Sequence, residues 1–215
     1  SCNLSNKFIT VSNIESRNAS QVIAGNQRDI RALLSDAKFF FETDKKRSLE
    51  SRRQQLESIT FHPKLGSLGE KTHRVCTLAC KMASAVNADG TVMERAADLS
   101  RCDLVSEMVL EFDELQGQIG TIYAALDGEA REVSQAIQGL YQPASASDSV
   151  PNDVYGSLLA LADRLDTLAG LFAINQPPTG SKDPFALRRA AIGLLRLNEH
   201  PLLHFDLTQW INQAY

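Results

Sequence analysis

Apolar positions recur at helical spacing along most of the chain. Ile30, Leu33, Leu34, Ala37 and Phe41 fall on one face of a helix that begins near Gln21. The charged run Asp44-Lys45-Lys46-Arg47 follows, reading as a solvated face or turn before a second, charged helix through Leu56. The cluster Phe61-His62-Pro63-Lys64-Leu65-Gly66 breaks the pattern. Beyond it the spacing predicts helices over 67–86, 93–112 and 129–141, with a turn at 87–90 and a Ser-, Ala- and Pro-rich loop at 142–151. The clearest amphipathic helix spans 154–174, with Leu158, Leu161, Leu165, Leu168 and Phe172 on one stripe. After a break at 175–180, Asp183-Pro184 reads as an N-cap followed by Pro at the first helical position. Only residues 8–14 are strand-like. A lone strand lacks a pairing partner, so this segment is expected to close a sheet outside the chain. The expected class is all-α, with residues 1–20 ending a preceding domain or linker strand and residues 21–215 forming one helical domain.

Composition narrows the class. With 43% hydrophobic and 22% charged residues among 215, the chain is neither collagen-like, mucin-like nor wholly disordered. Its first residue is Ser rather than Met, which predicts a piece of a longer protein. The net charge of −4 disfavours autonomous non-specific nucleic-acid binding. The charge is distributed in blocks, however. Residues 28–81 carry 12 basic and 7 acidic side chains, whereas residues 82–175 carry 4 basic and 15 acidic ones. A basic surface is therefore compatible with an acidic total. No basic segment followed by an apolar one opens the chain, and 154–174 is interrupted by Asp163, Arg164 and Asp166. A soluble cytoplasmic protein without a membrane partner is expected.

Four cysteines, Cys2, Cys76, Cys80 and Cys102, form no CxxC, which favours a reducing compartment over a disulfide framework. Cys76 and Cys80 lie one turn apart, with His73 one turn earlier and Cys102 elsewhere. That set raises zinc as a possibility, against small apolar side chains in a helical core. His62, His200 and His204 offer no metal spacing. No Gly-rich phosphate loop is present, and no nucleophile triad can be assembled from the spacing.

Several long stretches carry a resemblance. Pro178-Thr179-Gly180-Ser181-Lys182-Asp183-Pro184-Phe185-Ala186-Leu187-Arg188-Arg189-Ala190-Ala191 resembles the characteristic stretch of the bacterial glycyl-tRNA synthetase β-subunit family. Residues 8–16, 34–44, 64–68, 100–104, 111–117 and 161–170 agree with it in order and spacing, so the resemblance covers essentially the whole chain. It implies an α₂β₂ enzyme that joins glycine to its tRNA at the expense of ATP. The α subunit would bind ATP and Mg²⁺ and carry the chemistry, while the β subunit mainly handles tRNA. This piece is similar to the β subunit's HD-related helical domain, preceded by the edge of its neighbour. The resemblance implies no cofactor, metal or catalytic residue within the piece.

HD-type phosphohydrolases hold metal through a His, a His-Asp pair and a distant Asp, which position metal-activated water. The corresponding positions here are Lys71, Cys102-Asp103 and Asp163. Both His ligands are replaced, which disfavours the alternative of a metal-dependent phosphohydrolase. Lys71 shares a helix face with Val75, Leu78 and Met82. Two arrangements are open: Lys71 neutralises Asp103 or Asp163 in place of a metal, or these side chains are solvated or paired differently.

Candidate RNA contacts are Lys71, Arg74, Lys182, Arg188, Arg189 and Arg196. Arg189 and Arg196 are expected to share a helix face with Phe185 and Ile192, an arrangement that suits phosphate contact with base stacking. It equally suits packing against a neighbouring domain. Lys81 and the basic residues between Lys45 and Arg53 read as solvated surface or as further RNA contacts. A purely architectural interdomain module is the remaining reading.

Overall fold

The computed structural model describes residues 5–145, 147–199, 203 and 205–214. Two compact units divide the chain, residues 1–40 and residues 41–215. In the first, residues 8–14 belong to no strand, because no described segment supplies the ladder of hydrogen bonds a strand requires. Most of helix α1 (Ala19–Asp44) follows, with Leu33 and Leu34 about half exposed or more.

The second unit is a helical assembly. A 3₁₀ helix, Glu50–Ser58, leads into a small antiparallel hairpin of β1 (Thr60–His62) and β2 (Gly66–Ser67). The breaker cluster is thus the hairpin turn. Helices α2 (Leu68–Ala85) and α3 (Gly90–Leu99) follow, then a 3₁₀ turn over Cys102–Val105 and α4 (Glu107–Glu111). The continuous helix expected over 93–112 is therefore broken twice. Ser100 and Ser106 each bond a nearby backbone carbonyl, Ala97 and Asp103, and the Ser106 hydroxyl also accepts the Val109 N–H to start α4. Such local bonds compete with helix continuation. α5 (Gln118–Leu126), α6 (Arg131–Gly139), α7 (Val154–Ala173), α8 (Leu187–Asn198) and α9 (Leu207–Ala214) complete the described elements.

α7 is the central element and packs against α2, α3, α6, α8 and α9. Leu158, Leu161 and Leu165 are buried as expected, but so are Leu159, Ala160 and Ala162, while Phe172 is exposed. A helix enclosed by neighbours is apolar around most of its circumference rather than along one stripe. α8 begins later than Asp183-Pro184 suggests. Asp183 still caps it, accepting the N–H groups of Leu187 at 2.7 Å and Arg188 at 3.0 Å across an intervening turn. Among the described residues, no helix is long and apolar enough to cross a membrane.

Candidate functional site

The α2–α7 interface places charge inside the unit. Lys71 and Arg74 are one turn apart on α2, and Asp163, Asp166 and Thr167 share a face of α7. Lys71 is 3% exposed. Its Nζ lies 2.9 Å from Asp163 Oδ1 and 3.0 Å from Asp166 Oδ2, and donates to Thr167 Oγ1 at 2.7 Å. The ammonium also stands 4.7 Å over the Phe61 ring. Arg74 Nε donates to the other Asp166 oxygen at 2.7 Å, and Arg101 Nη2 donates to Asp163 Oδ1. Burial alone raises the Asp163 carboxyl, but Lys71 and Arg101 outweigh it and hold the group at about 2.

Asp103 has a different environment. It is fully buried, and its Oδ2 accepts the backbone N–H groups of Gly117 at 2.6 Å and Gly120 at 3.2 Å. Burial nevertheless pushes it up to about 6. Of the two carboxylates considered for Lys71, the ammonium thus pairs with Asp163, and Asp166 is its second partner. Asp103 instead fixes the turn into α5. Cys102 is buried, its thiol 3.5 Å from the Asp98 carbonyl, and burial pushes it up to about 12.

These residues do not fit a metal. The Lys71 ammonium and Arg101 both take Asp163 Oδ1, Cys102 is a neutral thiol, and Asp103 accepts backbone N–H groups. Cys76 and Cys80 are half-buried, and burial pushes Cys76 up to about 12. His73 is exposed, whereas His62 is buried and accepts the Lys64 N–H at 3.1 Å through Nδ1. Cys2, His200 and His204 lie outside the described residues.

The six candidate RNA contacts separate into two groups. Lys71 is enclosed by its ion pairs, Arg74 is tied to Asp166, and Arg196 donates to the carbonyls of Ser145 and Asp148. Lys182, Arg188 and Arg189 are exposed near the start of α8, where the Arg188 guanidinium donates to the Gly180 carbonyl at 2.8 Å.

The chain matches the family model described as glycyl-tRNA synthetase beta subunit over residues 1–215. This chain belongs to the glycyl-tRNA synthetase β-subunit family. A glycine–tRNA ligase beta subunit from Chromohalobacter salexigens is 54% identical over 207 residues, covering 96% of this chain and 30% of the relative. The corresponding protein of Marinobacter nauticus is 51% identical over 211 residues (97% of this chain, 30% of the relative). That of Neisseria meningitidis serogroup C is 49% identical over 194 residues (90% and 28%). The chain thus spans about 30% of the length of these curated relatives.

In this member of the glycyl-tRNA synthetase β-subunit family, several important residues left little trace in the sequence pattern. Asp44, read as part of a solvated face or turn, and Arg52, read as solvated surface or an RNA contact, are each 3% exposed and ion-paired at 3.0 Å. Asp44 also accepts the N–H groups of Glu107 and Met108 and the Tyr123 hydroxyl, thereby capping α4. Arg101, which donates to Asp163, and Tyr141 and Arg164, which line the same cavity, belong to no periodic motif. Asp166 had a legible signal, namely the three-residue spacing of Asp163 and Asp166 that mirrors Lys71 and Arg74.

Proposed function

We propose that this chain is a tRNA-handling helical domain of the β subunit of an α₂β₂ glycine–tRNA ligase. It is HD-related and supports ATP-dependent ligation of glycine to tRNA(Gly), with ATP and Mg²⁺ held by the α subunit. The chain itself supplies no catalytic nucleophile, acid or base. The observation that carries this reading is the exposed cationic group Lys182, Arg188 and Arg189 at the start of α8, within a member of this family. Cations that remain accessible can neutralise RNA phosphates, whereas buried, carboxylate-bound ones cannot. Lys71 on Asp163 argues at the same time against a hydrolase.

The test is tRNA(Gly) binding by the intact α and β assembly over a range of salt concentrations. Affinity is expected to fall as salt rises, and Lys182→Glu and Arg188→Glu each to weaken binding and reduce the salt slope by about 1. Binding indifferent to both salt and these charge reversals would overturn the proposal.

A further inference from the structure

The first unit has no interior of its own. None of its described residues, 5–40, is buried, and a unit of 40 residues without a core does not support itself. Its sequence nevertheless carries two faces that suit burial. One is the strand-like segment 8–14, in which Ile9, Val11 and Ile14 are 94%, 90% and 79% exposed. The other belongs to α1. At 100° per residue, Val22, Ile23, Ile30, Leu33, Leu34 and Ala37 fall within an arc of about 120°. Val22, Ile23, Leu33 and Leu34 are 41–64% exposed.

The chemistry of α1 selects among occupants. An arc of this width marks a helix that packs on a broad surface, whereas the seam between two coiled helices is narrower. α1 carries three basic and four acidic side chains, so its polar face lacks the Lys and Arg excess of a helix that lies on a membrane or tracks RNA phosphates. Its connection to the strand-like segment narrows the choice further. Only residues 15–18 separate the two, within the span of about 2–6 residues usual between a strand and the helix after it. Asn18 accepts the Gln21 N–H at 3.3 Å and so starts α1 at a defined place. In such a strand–helix unit the helix lays its apolar face on the sheet that the strand joins. This chain spans about 30% of the length of its curated relatives, so a full-length subunit of that size holds much further polypeptide tethered to these faces. Tethering favours an occupant in the same chain over one recruited from solution.

We propose that residues 8–40 dock as one strand–helix unit on a sheet in another domain of the β subunit. Residues 8–14 extend the edge of that sheet, and the α1 arc covers its face. The proposal is independent of the tRNA-handling reading.

Hydrogen exchange of the intact β subunit, read by mass spectrometry, tests it. Residues 8–14 are expected to exchange at least about a hundredfold more slowly than an unstructured chain, in the β subunit alone and at any protein concentration. Ile23→Asp and Leu34→Asp place a charge under the arc and are expected to speed that exchange about tenfold or more, while Arg28→Glu, on the opposite side of α1, leaves it unchanged. Unaltered protection of α7 shows that the helical unit of each variant is folded, and Leu34→Ser takes the place of a variant that loses it. A photoreactive side chain at Leu34 is expected to cross-link to the β subunit outside the segment described by residues 1–215. Exchange of residues 8–14 at the unstructured rate overturns the proposal, as does protection that no arc variant reduces, or cross-linking to residues 41–215. Protection that appears only with the α subunit, only with tRNA(Gly) or only as protein concentration rises also overturns it, and assigns the faces to that subunit, to RNA or to a second copy.

Discussion

Two aspartates on the same unit have opposite chemistry, and the difference is local. Asp163 faces Lys71 and Arg101, so its carboxylate is favoured and its pKa is about 2. Asp103 is enclosed, has one oxygen without a partner among the described residues and sits at about 6. The folded state therefore binds the Asp103 proton more tightly than the unfolded chain, whose ordinary value is 3.8. Its contribution is most favourable below about pH 4 and declines as pH rises through 6, by roughly 3 kcal/mol at about 1.36 kcal/mol per pKa unit. Asp163 acts in the other direction: its stabilisation is present above 3.8 and is lost as pH falls through about 2. Urea unfolding of parent and Asp103→Asn between pH 4 and 7 separates them. The variant is expected to gain on the parent as pH rises, and a constant difference would refute the assignment. Lys71→Met removes the ammonium from two carboxylates and is expected to lower stability by roughly 3 kcal/mol at pH 7, read from the urea midpoint. Part of this arrangement was legible: the inward face of α2 follows from spacing, and the resemblance to HD-type sites pointed to Lys71 and Asp163. The choice of Asp163 over Asp103 was not, because both are carboxylates at positions the sequence pattern treats alike.

At the scale of elements, the start of α2 matters because Lys71 lies in its first turn. Ser67 is the N-cap, its hydroxyl accepting the Glu70 N–H at 3.0 Å while the Glu70 carboxylate accepts the Ser67 N–H at 2.7 Å. This capping box satisfies two otherwise orphaned donors. The preceding Gly66 has φ +85°, which a side chain adopts only with strain, and the Glu70 carboxylate fills the place of a Cβ. Ser67→Ala is expected to cost about 1 kcal/mol of unfolding free energy, measurable by thermal or urea denaturation. An unchanged midpoint would show that the hairpin alone positions α2. The extent of α2 and α7 was readable within a residue or two because both are long and periodic. The short pieces were not. α4 holds five residues and takes its N-terminal bonds from Asp44, sixty-three positions upstream of Glu107. α5 begins after Gly117, φ +80°, where a Cβ would meet the Tyr141 ring at 2.5 Å. Both depend on distant partners that no local window contains.

For the whole molecule, charge is informative only after folding sorts it. The sequence shows an acidic chain with a basic block over 28–81. Folding removes Arg52 and Lys71 of that block into buried ion pairs, and leaves Lys182, Arg188 and Arg189 of another segment exposed. The salt experiment on tRNA binding therefore belongs at this scale, since it counts accessible cations rather than total ones. The sequence by itself determined the all-α class, the long helices and the kinship to the glycyl-tRNA synthetase β subunit, because these depend on local periodicity and residue identity. Only the tertiary structure decided that Asp166 joins Asp163 on Lys71, that Asp44 is a buried cap, and that Arg101, Tyr141 and Arg164 line one cavity with Asp163. Those outcomes depend on which helix faces meet across 60 to 100 residues of chain, where burial and charge pairing act through space rather than along the sequence.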